Sequence, residues 1–158
     1  MKTTMTAAIA AVTGAVLAII LILLVMPSMM INEYQSPFGL DETIEHIKAA
    51  ASEEGWVISG VTDLAASVKK HGGYDLPATR LINLCEAGHA HKILSEDGNK
   101  KISVFMPCTI SVYQKTDGKI YLATMNAGLL GKMFGGTVAE VMGETVAKQQ
   151  QKFISFLH

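Results

Sequence analysis

Apolar and polar positions follow three rhythms along this chain, and each predicts a different kind of element. The first is no rhythm at all. Thr3 to Asn32 contains no charged residue, and Ala7 to Met26 is a stretch of twenty almost wholly apolar residues. Wound as a helix, such a run reaches about 30 Å, the thickness of a bilayer's hydrocarbon core. It is longer than the roughly 7–15 apolar residues of a signal peptide, and no A-x-A pattern follows in MPSMMINEY. One retained N-terminal transmembrane helix over residues 1–27 is predicted, followed by a domain over 28–158.

The second rhythm has a helical period. GLDETIEHIKAAASEEGW predicts an amphipathic helix with Asp41 as N-cap, acids in the first turn and Ile44, Ile47 and Ala51 as its apolar stripe. A short helical piece is expected near Leu64–Lys70, another over GHAHKILSED, and a long C-terminal helix at about 129–157. The third rhythm is alternation. It predicts strands at 29–36, 56–62, 79–85, 100–115 and 119–125, the last two forming a hairpin turned at Asp117-Gly118. GLLGKMFGG is read as a flexible entry to the last helix. Strands gathered around few helices predict an α+β, two-layer domain with a mostly antiparallel sheet packed by helices, its core over 29–126.

Charge adds direction. Lys2 precedes the apolar run, while the first charges after it are acidic and no Lys or Arg returns until Lys48. The positive-inside rule then predicts a cell-membrane protein with its N-terminus in the cytoplasm and its domain periplasmic or extracellular. Without Lys2 the head carries 12 basic residues against 14 acidic ones. That balance offers nothing to attract nucleic acid. Within the anchor, Ala7, Ala11 and Ala15, and likewise Ala10, Gly14 and Ala18, repeat every four residues. Small residues at that interval let membrane helices approach closely, which predicts contact with a second copy or with other membrane subunits.

Three stretches also carry a resemblance. The helix ending in EEGW, the strand LPATRLINL and the P-x5-Y-x3-DGK-x-Y hairpin resemble the uncharacterised domain-of-unknown-function family number 302, over nearly all of Tyr34 to Asn126. The resemblance implies a two-layer α+β fold of the TATA-binding-protein-like kind, often a dimer, with no established activity. Typical members carry a GNP segment after the third strand. Here Cys85-Glu86-Ala87 stands near that place and Cys108 follows Pro107, which points to a cysteine-bearing subgroup.

Candidate chemistry gathers in CEAGHAHKIL. Cys85 precedes a predicted helix, whose N–H groups and dipole favour a thiolate, the metal-binding form. His89 lies four positions on, at the spacing that shares a helix face; His91 points elsewhere on a helix and is the alternative ligand. Cys108, the other cysteine of the chain, falls on the apolar face of its strand. The expected metal donors are therefore Cys85, His89, His91 and Cys108, with Cys85 and His89 as the pair for a cofactor. Copper, zinc, iron or a non-covalent b-type haem would suit thiolate with imidazole; no CxxCH motif for covalent haem is present. Buried structural thiols, and a disulfide or thiol switch, are the other readings of the two cysteines. No nucleophile elbow, phosphate loop or paired-carboxylate spacing occurs, so an enzyme is not the favoured class. The sequence predicts a membrane-anchored extracytoplasmic binding module serving electron transfer or redox sensing. Its rival is a non-catalytic accessory subunit of a membrane complex.

Overall fold

A computed structural model describes residues 2–157; the side chains of residues 2–12 and of residue 18 lie outside that description. The elements run in the order α1 (Lys2–Met29), β1 (Ile31–Gln35), α2 (Leu40–Glu53), β2 (Val57–Asp63), α3 (Leu64–Gly72), β3 (Thr79–Cys85) and α4 (Ala87–Leu94). A 3₁₀ run (Asp97–Phe105) leads to β4 (Cys108–Gln114), β5 (Ile120–Met125) and α5 (Ala127–Phe134). The chain ends with α6 (Gly136–Val138), a π-helical stretch (Ala139–Val146), α7 (Ala147–Phe153) and a last 3₁₀ turn (Ser155–Leu157).

The five strands form one antiparallel sheet in the order β1-β5-β4-β3-β2. This is the expected α+β arrangement. Alternation places Ile82 and Leu84 of β3, Ile110 and Val112 of β4, and Leu122 of β5 on one face, all essentially inaccessible to solvent. Helix α2 closes over that face with Ile44, Ile47 and Ala51, the stripe expected from sequence, and Val141, Met142, Val146 and Phe153 complete the core. At the start of α2, Thr43 Oγ1 donates to the Gly39 carbonyl at 2.8 Å and lies 2.7 Å from Ser36 Oγ. These buried hydroxyls satisfy each other. The N-cap of α2 is Gly39 rather than Asp41, which sits inside the first turn and faces solvent.

Two expectations are corrected. Residues 100–107 are not part of a strand: β4 begins at Cys108, because β3 offers partners only to Cys108–Tyr113 and nothing pairs with the chain before them. Ile102 alone of the supposed apolar face there is buried, whereas Val104 is 78% exposed. The long helix over 129–157 is also broken. Gly135 and Gly136 adopt φ of +71° and +51°, a left-handed conformation that glycine tolerates, and the chain reverses there. GLLGKMFGG is accordingly helix α5, not a flexible entry. It packs antiparallel on the π-helical stretch with Gly131 against Gly143, so close that a Cβ on Gly131 would lie 2.4 Å from the Gly143 nitrogen.

Asn126 ties the end of helix α1 to the head. Asn126 donates through its backbone N–H to the Met30 carbonyl and through Nδ2 to the Met29 carbonyl, both at 2.8 Å, while its Oδ1 accepts from the Leu129 N–H of α5. Among the described residues no helix is long and apolar enough to cross a membrane. The small-residue positions Ala7, Ala10, Ala11 and Ala18 lie outside the described side chains; Gly14 and Ala15 are exposed, and Gly14 has open space where a Cβ would stand.

Candidate functional site

The ends of β3 and β4 meet α4 and the π-helical stretch around a cavity of ≈ 30 Å³. That is room for one or two waters or a single ion, and far below the roughly 300 Å³ at which pockets for organic ligands begin. A haem does not fit it as it stands. Cys85, His89 and Cys108 all contribute to its wall, together with Trp56, Glu86, Met106 and Met142. His91 does not. It is exposed on the far side of α4, with its Nδ1 3.5 Å from Ser95 Oγ, as the two-residue offset from His89 predicts.

The polar side of the wall is a closed network. Glu86, not Cys85, caps α4: its carboxylate accepts from the Gly88 N–H at 3.0 Å and from the His89 N–H. Those two N–H groups hold the Glu86 carboxyl below the usual carboxylate range. The helix terminus expected to favour a Cys85 thiolate is therefore occupied by a neighbour. His89 Nδ1 lies 3.1 Å from Glu86 Oε2, and His89 Nε2 lies 2.9 Å from Gln149 Oε1. Gln149 Oε1 also accepts from Trp56 Nε1 at 3.2 Å. An indole N–H can only donate, so that oxygen is an acceptor and His89 Nε2 donates to it. Nδ1 donates to Glu86 only in the protonated ring, and the imidazole stands edge-on to Trp56, 5.8 Å between centroids.

The other side of the wall is sulfur. Both cysteines are free. Cys108 packs against the core and pairs across the sheet with Leu84, so Cys85 stands one residue beyond the last β3–β4 pair. Burial, with a smaller contribution from Cys85, pushes the Cys108 thiol up to about 11. At neutral pH Cys108 is a thiol until something displaces its proton. Met142 is buried and reaches the cavity from the π-helical stretch, a local widening that recurs at functional sites. Met106 reaches it from just before β4. Among the described residues no group of three or more His, Cys, Asp and Glu side chains converges as a metal site.

Of the residues named from sequence, Cys85, His89 and Cys108 line this cavity; Glu86, Trp56, Met106, Met142 and Gln149 were not singled out. Glutamate is an uncommon N-cap, and Gln149 is sixty positions from the histidine it meets. No local signal marks either. His46 of α2, outside this cavity, stacks on Phe156 with centroids 5.1 Å apart.

Fold and cavity together define a small two-layer α+β domain with an atom-sized, partly sulfur-lined hollow at one end of its sheet. Residues 32–157 match the family model described as "Domain of unknown function DUF302", and the chain belongs to that family. Among solved structures it is similar to an uncharacterized conserved DUF302 protein from Bacillus stearothermophilus, with a TM-score of 0.70 and 18% identity. That likeness covers 82% of this chain and 99% of the other, and at such identity it shows the fold. No curated protein matches the chain.

Proposed function

We propose that this protein is a membrane-tethered, extracytoplasmic binding module whose head holds a metal ion for electron transfer or redox sensing. The observation that carries the reading is that Cys85 and Cys108, the two cysteines of the chain, border one ion-sized cavity. The tether is supported by the environment of α1. From Val16 to Val25 its large apolar side chains are 41–73% exposed, and a helix apolar on all sides needs lipid or another protein around it. The charge pattern flanking α1 supports an outward-facing head.

The test uses the full chain in detergent. Metal content near one ion per chain, lost in Cys85→Ser/Cys108→Ser, is the expected result; a metal-free protein with two titratable thiols after reconstitution overturns the reading. Labelling of Cys85 on intact cells by a membrane-impermeant maleimide checks the orientation, and labelling only after lysis reverses it.

A second reading, a non-catalytic accessory subunit, is favoured by one further observation. An apolar hollow of ≈ 470 Å³ lies beside the end of α1, bounded by Pro27, Met30, Ile31, Phe105, Met125 and Leu130 among others. A partner subunit seated there would cover both it and α1.

A further inference from the structure

We infer that the ion this cavity selects is monovalent copper, bound by sulfur alone: Cys108, Met106 and Met142 within the cavity, with Cys85 as the outer thiol. The inference rests on the reading of the cavity as a metal site and specifies what that site takes.

The argument begins with which donors are left. Glu86 and His89 carry the oxygen and nitrogen atoms that a zinc site would need, and both are engaged. The two Glu86 oxygens accept from the Gly88 and His89 N–H groups, and the two His89 ring nitrogens face Glu86 and Gln149. Gln149 Oε1 is held in turn by Trp56. Recruiting His89 through Nε2 would break its hydrogen bond to Gln149, and recruiting it through Nδ1 would turn that nitrogen away from the Glu86 carboxylate. No hydrogen bond ties the side chains of Cys85, Met106, Cys108 and Met142 among the described residues, and all four residues line the same ≈ 30 Å³.

Chemistry then separates the candidate ions. Zinc takes four donors, drawn from thiolate, imidazole and carboxylate. Here it would find two thiolates and two thioethers, which are poor ligands for it. Soft thiolate and thioether donors select monovalent copper, which also tolerates low coordination numbers. The size agrees, because the cavity has room for an ion with little or no water around it. The register agrees as well. Cys108 faces Leu84 across the sheet rather than Cys85, and a disulfide needs sulfur atoms about 2 Å apart, whereas two ligands of one metal stand roughly twice as far from each other.

On binding, the Cys108 thiol passes its proton to solvent and its sulfur lone pair to copper; no electron is transferred in this step, and the copper enters as the monovalent ion.

The full chain in detergent is titrated under reducing, anaerobic conditions with copper(I) delivered from a colorimetric chelator, and separately with zinc. One copper per chain withdrawn from the chelator is expected, with no stoichiometric zinc. Met106→Leu/Met142→Leu, which keeps side-chain size, is expected to weaken copper binding at least tenfold, while Cys108→Ser abolishes it. X-ray absorption of the copper-loaded wild-type chain needs no variant, and a shell of sulfur without nitrogen or oxygen is expected. Stoichiometric zinc, or imidazole in the copper shell, overturns the sulfur-only inference while leaving the cavity a metal site. Absence of binding by either ion overturns both.

Discussion

The same residue types meet opposite fates in α1 and in the head. Val16 to Val25 of α1 expose 41–73% of each large apolar side chain, whereas Ile47, Ile82, Val112 and Leu122 of the head are at 0%. Hydrophobicity alone does not distinguish them; pattern does. In α2 the apolar residues recur on one stripe, which the sheet can cover. In α1 they surround the axis, and no single neighbouring element could cover them all. The head covers its own apolar side chains, whereas those of α1 from Val16 to Val25 stand exposed.

Two substitutions sharpen that contrast. The largest effect is expected in the core. Ile82→Ala should cost about 2–5 kcal/mol of head stability, read as a lower midpoint in denaturant. Leu23→Ala in α1 should leave that midpoint unchanged within about 0.5 kcal/mol. A comparable loss at both positions would mean that α1 belongs to the head's core, and the contrast would fail.

Glycine gives the next contrast. Gly131→Ala forces a methyl against the Gly143 backbone, where only backbone movement relieves the clash, and should cost about 1–3 kcal/mol. Gly14→Ala meets open space in α1 and should leave the head unaffected while favouring the helix by up to about 1 kcal/mol. Circular dichroism with thermal melts in detergent reads both.

The smallest expected effect is on acid stability. Glu86 has its carboxyl depressed below the ordinary 4.5 by the Gly88 and His89 N–H groups. A group whose folded value is lowered contributes stability that is present above its unfolded value and lost as pH falls through the folded one. Wild type should therefore lose stability below about pH 4.5 faster than Glu86→Gln, with the curves parallel at neutral pH. Residues 3–32 hold no ionisable side chain, so α1 beyond Lys2 should add nothing to the slope. Parallel curves throughout the acid range would show that the α4 cap does not hold Glu86 in its charged form.

Legibility of this molecule followed the range of its interactions. The boundaries of β3 and the stripe of α2 were readable because alternation and helical period are local. The strand expected over 100–107 failed for a tertiary reason: alternating apolar residues cannot make a strand where no neighbour pairs with them. The broken C-terminal helix was signalled by Gly135-Gly136, but the reversal became visible only with α5 laid against the π-helical stretch. The site divides in the same way. Cys85 and His89 share a wall, but not through the helical spacing, because Cys85 ends β3 and lies outside α4. Met142 reaches that wall from the C-terminal helical segments, and Gln149 meets His89 from there.

The sequence by itself determined the chain's partition into an all-round apolar helix and an α+β head, because composition and periodicity are properties of neighbouring residues. Tertiary structure decided which donors remain at the cavity. The partners that engage Glu86 and His89, and the thioethers that border the same space, come together only when β3, β4, α4 and the last helical segments pack, and contacts between residues dozens of positions apart leave no trace in local pattern.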